Sequence, residues 1–155
     1  ATGTMILIAM WQQEPAAAAK LAAAGIAFAR RTQLDAVPQA RVLLLDSIGE
    51  LASLFPLANA VFMGGTLNHR GGHNFLEPAF CGKPIVCGPH LENFAEMAQL
   101  FRSRTAIDTI QTPAELAGAV QRAFNSDRGK LAKSLAEGLS GVSSRVADRI
   151  VPLLD

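Results

Sequence analysis

VFMGGTLNHRGGHNFLEPAFCGKPIVCGPHLEN, residues 61–93, decides how this chain folds. An apolar run from Ala60 to Met63 ends at Gly64-Gly65, a polar loop follows, and a helix is expected to open near Asn74 with Glu77 in its first turn. A second apolar run, Pro84 to Cys87, ends at Gly88-Pro89-His90. Short apolar runs bounded by glycine and proline, with a helix between them, read as parallel strands joined by a crossover. The glycine pairs, the histidines and the acidic residue then collect at strand exits and at a helix start. In open α/β sheets ligands bind at that edge.

The same alternation extends outward from this segment in both directions. Met5 to Met10 reads as a buried strand and Glu14 to Ala24 as an alanine-rich helix closed by Gly25. Ile26 to Ala29 reads as a second strand and Val42 to Leu45 as a third, after a polar connection from Arg30 to Ala40. Asp46-Ser47 is expected to start a helix through Phe55, and Phe75 to Cys81 forms a short one. Downstream, Asn93 to Arg102 is helical and Thr105 to Asp108 is a short strand. Thr112-Pro113 opens a helix with Leu116, Val120 and Phe124 on one face. From Gly129 to the end, Leu131, Leu135, Leu139, Val142 and Val146 recur at helical spacing. The expected class is α/β: a Rossmann-like parallel sheet with helices on both faces, in a single domain over residues 1–155.

Bulk composition narrows the function classes. The chain has 155 residues, half of them hydrophobic and 17% charged, with a net charge of +1, as expected of one globular domain with a proper core. No basic stripe or arginine-aromatic run is present, which argues against a nucleic-acid partner. Met5 to Trp11 is the longest apolar run, too short for a bilayer, and no basic region precedes it as in a signal peptide. No membrane insertion is expected. Cys81 and Cys87 lie in apolar surroundings and read as reduced core thiols of a cytosolic protein.

Chemistry-bearing patterns compete with plain helix capping, and the chain carries its own control. Thr112-Pro-Ala-Glu115 is a capping box with proline at the first helical position, and nothing around it suggests chemistry. Ser47-Ile-Gly-Glu50, Asn74-Phe-Leu-Glu77 and Asn93-Phe-Ala-Glu96 share its spacing. What separates Asn74 from the control is its approach, because Gly64-Gly65 and Gly71-Gly72 would let backbone come close to a ligand. A helix start reached that way favours phosphate, and Glu77 would then accept hydrogen bonds from sugar hydroxyls beside it. That is the logic of nucleotide recognition. His69, His73 and His90 have no cysteine or carboxylate at ligand spacing, so no metal site is expected. The dinucleotide G-x-G-x-x-G fingerprint, the Walker lysine pattern and a glycine-flanked serine are all missing. No cofactor is expected.

GGTLNHRGGHNFLEPAFCGKPIVCGPHLENF and, upstream, LLDSIGEL resemble the most distinctive motifs of the 3-deoxy-D-manno-octulosonic acid (Kdo) transferases, in the right order and separation. The resemblance continues as element order from about Met5 to the end of the chain. It implies the carboxy-terminal, donor-binding half of a two-Rossmann (GT-B) glycosyltransferase. The donor would be CMP-Kdo, and the whole enzyme would transfer Kdo to a lipid A precursor with inversion, working from the cytoplasm at the inner membrane surface. Ile48, Gly49 and Glu50 would lie against the cytidine; Asn74, Phe75, Leu76 and Glu77 would form the phosphate-holding helix start, with Glu77 on the ribose. Gly65, Thr66, Gly72, His73, His90 and Asn93 match positions lining the cleft. No catalytic residue is assigned in this chain, because the family's base and acceptor site belong to an amino-terminal domain that is absent from it. Alone, the chain is expected to bind and not turn over. The family's Pro-Arg-His run is replaced by Ala9-Met10-Trp11, which removes a charge-assisted phosphate contact if that arginine makes one. Two rivals remain open: a donor domain for a UDP-sugar, and a non-catalytic interaction module that has lost its ligand.

Overall fold

The structure, a computed structural model, describes residues 6–9, 14–35 and 39–150. Met5, Met10, Trp11 and the segment after Ile150 lie outside the described residues, as do the side chains of Val142 and Val146. The chain divides into two compact units, Ala1–Ser53 and Leu54–Asp155.

The first unit holds strands β1 (Ile6–Ala9), β2 (Phe28–Arg30) and β3 (Val42–Leu45), with helix α1 (Glu14–Ala23) between β1 and β2. All pairings are parallel in the order β1-β3-β2, with Ile6 and Phe28 both opposite Val42. The central position of β3 explains its unbroken apolar run, VLLL, in which Leu44 is fully buried. Helix α1 ends in two nested hydrogen bonds, Ile26 N–H to the Leu21 carbonyl (2.9 Å) and Gly25 N–H to that of Ala22 (3.0 Å), the left-handed closure that Gly25 suggested.

One expectation fails at the exit of β3. Helix α2 covers Leu51–Leu54, so residues 46–50 are not helical and the helix does not start at Asp46-Ser47. Gly49 has φ +87°, outside the right-handed helical region, and holds the preceding residues in an open turn.

The second unit holds β4 (Val61–Phe62), α3 (Leu76–Phe80), β5 (Ile85–Cys87), α4 (Ala95–Ser103), β6 (Ile107–Thr109), α5 (Leu116–Phe124) and α6 (Arg128–Ile150). The strands are parallel in the order β4-β5-β6. Side chains alternate across β5: Ile85 and Cys87 enter one core with Ala79, Ala98, Phe101, Ala132 and Ala136, while Val86 enters a second with Ile110, Ala119 and Ala123. Helices α3, α4 and α6 therefore cover one face of this sheet and α5 the other. Phe75 is fully buried, edge-on to Phe94 and Phe101 with ring centroids 5.9 and 5.1 Å away. Asp108 on β6 pairs with Arg122 of α5 (3.3 Å) and Arg128 of α6 (3.1 Å). Cys87 is a buried thiol whose pKa burial pushes up, and Cys81 is partly buried; both are free.

The expected helix faces need adjusting. Phe124 is 46% exposed while Ala119 and Ala123 are buried, and Leu131 is 38% exposed while Ala132 and Ala136 are buried. The small residues let these helices lie close to the sheet, and the large apolar ones flank the contact.

Candidate functional site

At the exit of β3, Asp46 accepts hydrogen bonds from the Thr32 N–H (2.9 Å) and hydroxyl (2.7 Å). Desolvation alone would raise its pKa, but the Thr32 bonds outweigh it and hold the carboxyl below its ordinary value. Glu50 is also held low, chiefly by the Ser47 hydroxyl and then by Arg31, whose Nη2 lies 2.8 Å from Oε1. Both oxygens of Glu50 are thus engaged within the first unit. Ile48 is 80% exposed, and nothing lies within 4 Å of where a Gly49 side chain would begin. Ile48-Gly49 is an open main-chain apex on a turn fixed by two carboxylates.

In the second unit, the exits of β4 and β5 are joined by Thr66. Its buried hydroxyl donates to the Met63 carbonyl (2.6 Å) and accepts from the Gly88 N–H (2.7 Å), and its carbonyl accepts from the His90 N–H (3.0 Å). The loops touch so closely that a side chain on Gly88 would begin 2.1 Å from the Thr66 carbonyl oxygen. Gly72, at φ +74°, would meet Leu91 and Thr66 at 2.8 and 2.9 Å. These glycines serve loop-against-loop packing; Gly64 is the one of the two pairs that faces open space. Asn93 ties the same loop down through its amide, which donates to the Arg70 and Gly72 carbonyls at 3.4 and 3.3 Å. Thr66, Gly72 and Asn93 therefore shape this edge by binding protein groups. His73 is exposed and stands over Gly65.

At the helix start, Asn74 Oδ1 accepts from the Leu76 N–H (3.1 Å) and its amide donates to Glu77 Oε1 (3.2 Å). The control behaves the same way: the Thr112 hydroxyl donates to Glu115 Oε1 (2.9 Å). Helix α3 is only five residues long, so its dipole adds little to phosphate affinity, contrary to expectation. With Phe75 committed to the core, only its main chain can serve a ligand. Asn74 and Glu77 are exposed, and among the described residues Asn74 is the only hydrogen-bond partner of the Glu77 carboxylate.

Two features escaped the sequence reading. Arg102, seven residues into α4, donates to the carbonyls of Gly88 (3.4 Å) and Pro89 (2.9 Å), holding the β5 exit. Glu92 lies 2.8 Å from His90 Nδ1, and the His69 and His90 rings meet tilted at 54° with centroids 3.8 Å apart. The premise that no carboxylate accompanies these histidines is overturned; Glu92, two residues past His90, was the available signal.

Known proteins agree with this picture. The chain is 32% identical over 121 residues to the 3-deoxy-D-manno-octulosonic acid transferase of Haemophilus influenzae, covering 74% of this chain and 28% of that protein. It is 39% identical over 85 residues to the transferase of the same name from Bordetella pertussis, covering 54% and 20%. No family model matches. Its fold superposes with a TM-score of 0.72 on the crystal structure of the C-terminal CMP-Kdo binding domain of WaaA from Acinetobacter baumannii, at 25% identity, covering 82% of this chain and 67% of that one. This chain is similar to the carboxy-terminal domain of Kdo transferases. The aligned stretch spans under a third of the Haemophilus and Bordetella transferases' own lengths. Against the Kdo transferase expectation, the structure keeps Ile48-Gly49 and Asn74-Glu77 exposed at their turns, and it buries Thr66 and Phe75. No helix among the described residues is long and apolar enough to cross a membrane.

Proposed function

We propose that this chain is the donor-binding domain of a Kdo transferase, holding CMP-Kdo while the full-length enzyme delivers Kdo to a lipid A precursor at the cytoplasmic face of the inner membrane. Residues 1–155 act as one nucleotide-sugar-binding domain. The observation that carries the reading is the fold likeness, over 82% of the chain, to a CMP-Kdo binding domain.

The local chemistry supports it. Ile48 and Gly49 offer main-chain groups to a base edge, on a turn that Glu50 and Asp46 hold in place through Arg31, Ser47 and Thr32. Glu77, oriented by the Asn74 amide, has acceptor capacity left for ribose hydroxyls. The phosphate is held by main-chain amides about Asn74 to Glu77 other than the Leu76 N–H, which Asn74 Oδ1 takes. We assign no catalytic base among the described residues, and on this reading the isolated domain binds without turning over.

Thermal-shift titration with CMP, UMP and UDP tests the assignment, since a ligand that binds only the native state raises its melting temperature by mass action. The expected result is a shift with CMP alone, with amide NMR changes centred on Gly49 and Glu77. Preference for UDP would reassign the donor, and no response at millimolar nucleotide would leave an interaction module that has lost its ligand.

A further inference from the structure

We propose that His69, His90 and Glu92 form a binding site for one transition-metal dication of the zinc class, at the edge where β4 and β5 end. One ligand atom from each of the three lies within 4.8 Å of the others. Bonds of about 2.0–2.1 Å around a tetrahedral zinc set neighbouring ligand atoms about 3.3 Å apart, a closing that asks for rotation of the exposed His69 and Glu92 side chains toward the half-buried His90.

The backbone beneath the three side chains is already fixed. His90 is anchored by its N–H on the Thr66 carbonyl (3.0 Å), and Glu92 opens a 3-10 turn closed by the Phe94 N–H on Leu91 (2.9 Å). The Asn93 side chain and N–H bind the carbonyls of Arg70, Gly72 and Gly71, so the residue beside Glu92 clamps the loop that carries His69. Both ligand-bearing loops are therefore held in register before any metal arrives. Preorganisation of this kind cuts the ordering cost of binding.

The donor set selects the ion. Two imidazoles and one carboxylate suit zinc, nickel or copper, whereas magnesium and calcium require mostly oxygen ligands. His69 and Glu92 are exposed and His90 is half-buried, so water would complete the shell. The site makes no use of nucleotide and stands or falls apart from the donor assignment.

Chelator-treated protein without a polyhistidine tag, titrated calorimetrically with zinc chloride, tests this directly. One equivalent of zinc is expected to bind and to move the imidazole nitrogen resonances of His69 and His90, leaving His73 unmoved. His69→Ala and Glu92→Gln, both surface changes checked for folding by circular dichroism, are each expected to weaken binding about tenfold or more. Absence of heat and of resonance changes at millimolar zinc overturns the proposal. Unchanged affinity in both variants, or zinc appearing on His73 or Cys81, overturns it equally.

Discussion

Glu77 and Glu115 are each bonded to the residue three positions before them and both follow a strand exit, but the Glu115 carboxylate also accepts the Gln111 N–H (3.3 Å). The pair therefore separates capping from recognition. Glu77→Ala is expected to abolish CMP binding while costing about 0.5–2 kcal/mol of stability, the usual loss at a helix start. Glu115→Ala should cost a similar amount and leave binding intact. Calorimetric titration with CMP and urea unfolding of both variants decide the matter, and unchanged binding in Glu77→Ala would return that residue to a cap. Thr66 makes the opposite case, a residue whose family position suggests a cleft and whose hydroxyl is spent on protein. Thr66→Val leaves the Gly88 N–H and one demand of the Met63 carbonyl unmet in a buried place, and about 1–3 kcal/mol should be lost in urea unfolding. Thr66→Ser should keep both bonds and most of the stability.

Gly88 and Thr66 make one joint from two strand exits, and most of the candidate edge hangs on it. A methyl group on Gly88 would overlap the Thr66 carbonyl, and the strands on either side leave the loops little freedom to yield. Gly88→Ala is expected to lose about 1–3 kcal/mol, in the range of core overpacking, and to disturb the amide resonances of Thr66 and His90 together. Resonance changes confined to residue 88 would show that the loops move independently. The strands themselves were legible, because fully covered parallel strands carry unbroken apolar runs such as VLLL and IVC. Helix faces were harder to read. The buried stripes of α5 and α6 are built on Ala119, Ala123, Ala132 and Ala136, and a reading weighted toward large side chains chose Phe124 and Leu131 instead. The start of α2 was misplaced because the capping spacing Ser47 to Glu50 is satisfied side chain to side chain, while Gly49 turns the backbone out of the helix. The His90–Glu92 spacing was legible, but the approach of His69 to them was not, since it depends on two loops meeting across a sheet edge.

Carboxylates hold turns in both units, and their shifts set how the protein meets acid. Asp46 and Glu50 in the first, and Glu92 and Asp127 in the second, have folded-state pKa values below their ordinary ones. Each contribution is full above the ordinary carboxylate range and is lost as pH falls through the lowered folded value. The urea midpoint should therefore decline below about pH 4.5. Asp46→Asn should be less stable than the parent at neutral pH, with the gap closing in acid. A gap that stays constant would remove Asp46 from the account. Catalysis makes a different demand on the chain. Under the proposed function, this chain orients a donor and the acceptor is brought to it by the rest of the full-length enzyme. Holding both partners in line is worth about 7–11 kcal/mol of barrier, and no arrangement of donor contacts alone replaces that. The chain mixed with labelled CMP-Kdo and a lipid A precursor should retain CMP-sensitive melting and transfer no label, and measurable transfer would mean that a base and an acceptor site lie within residues 1–155 after all.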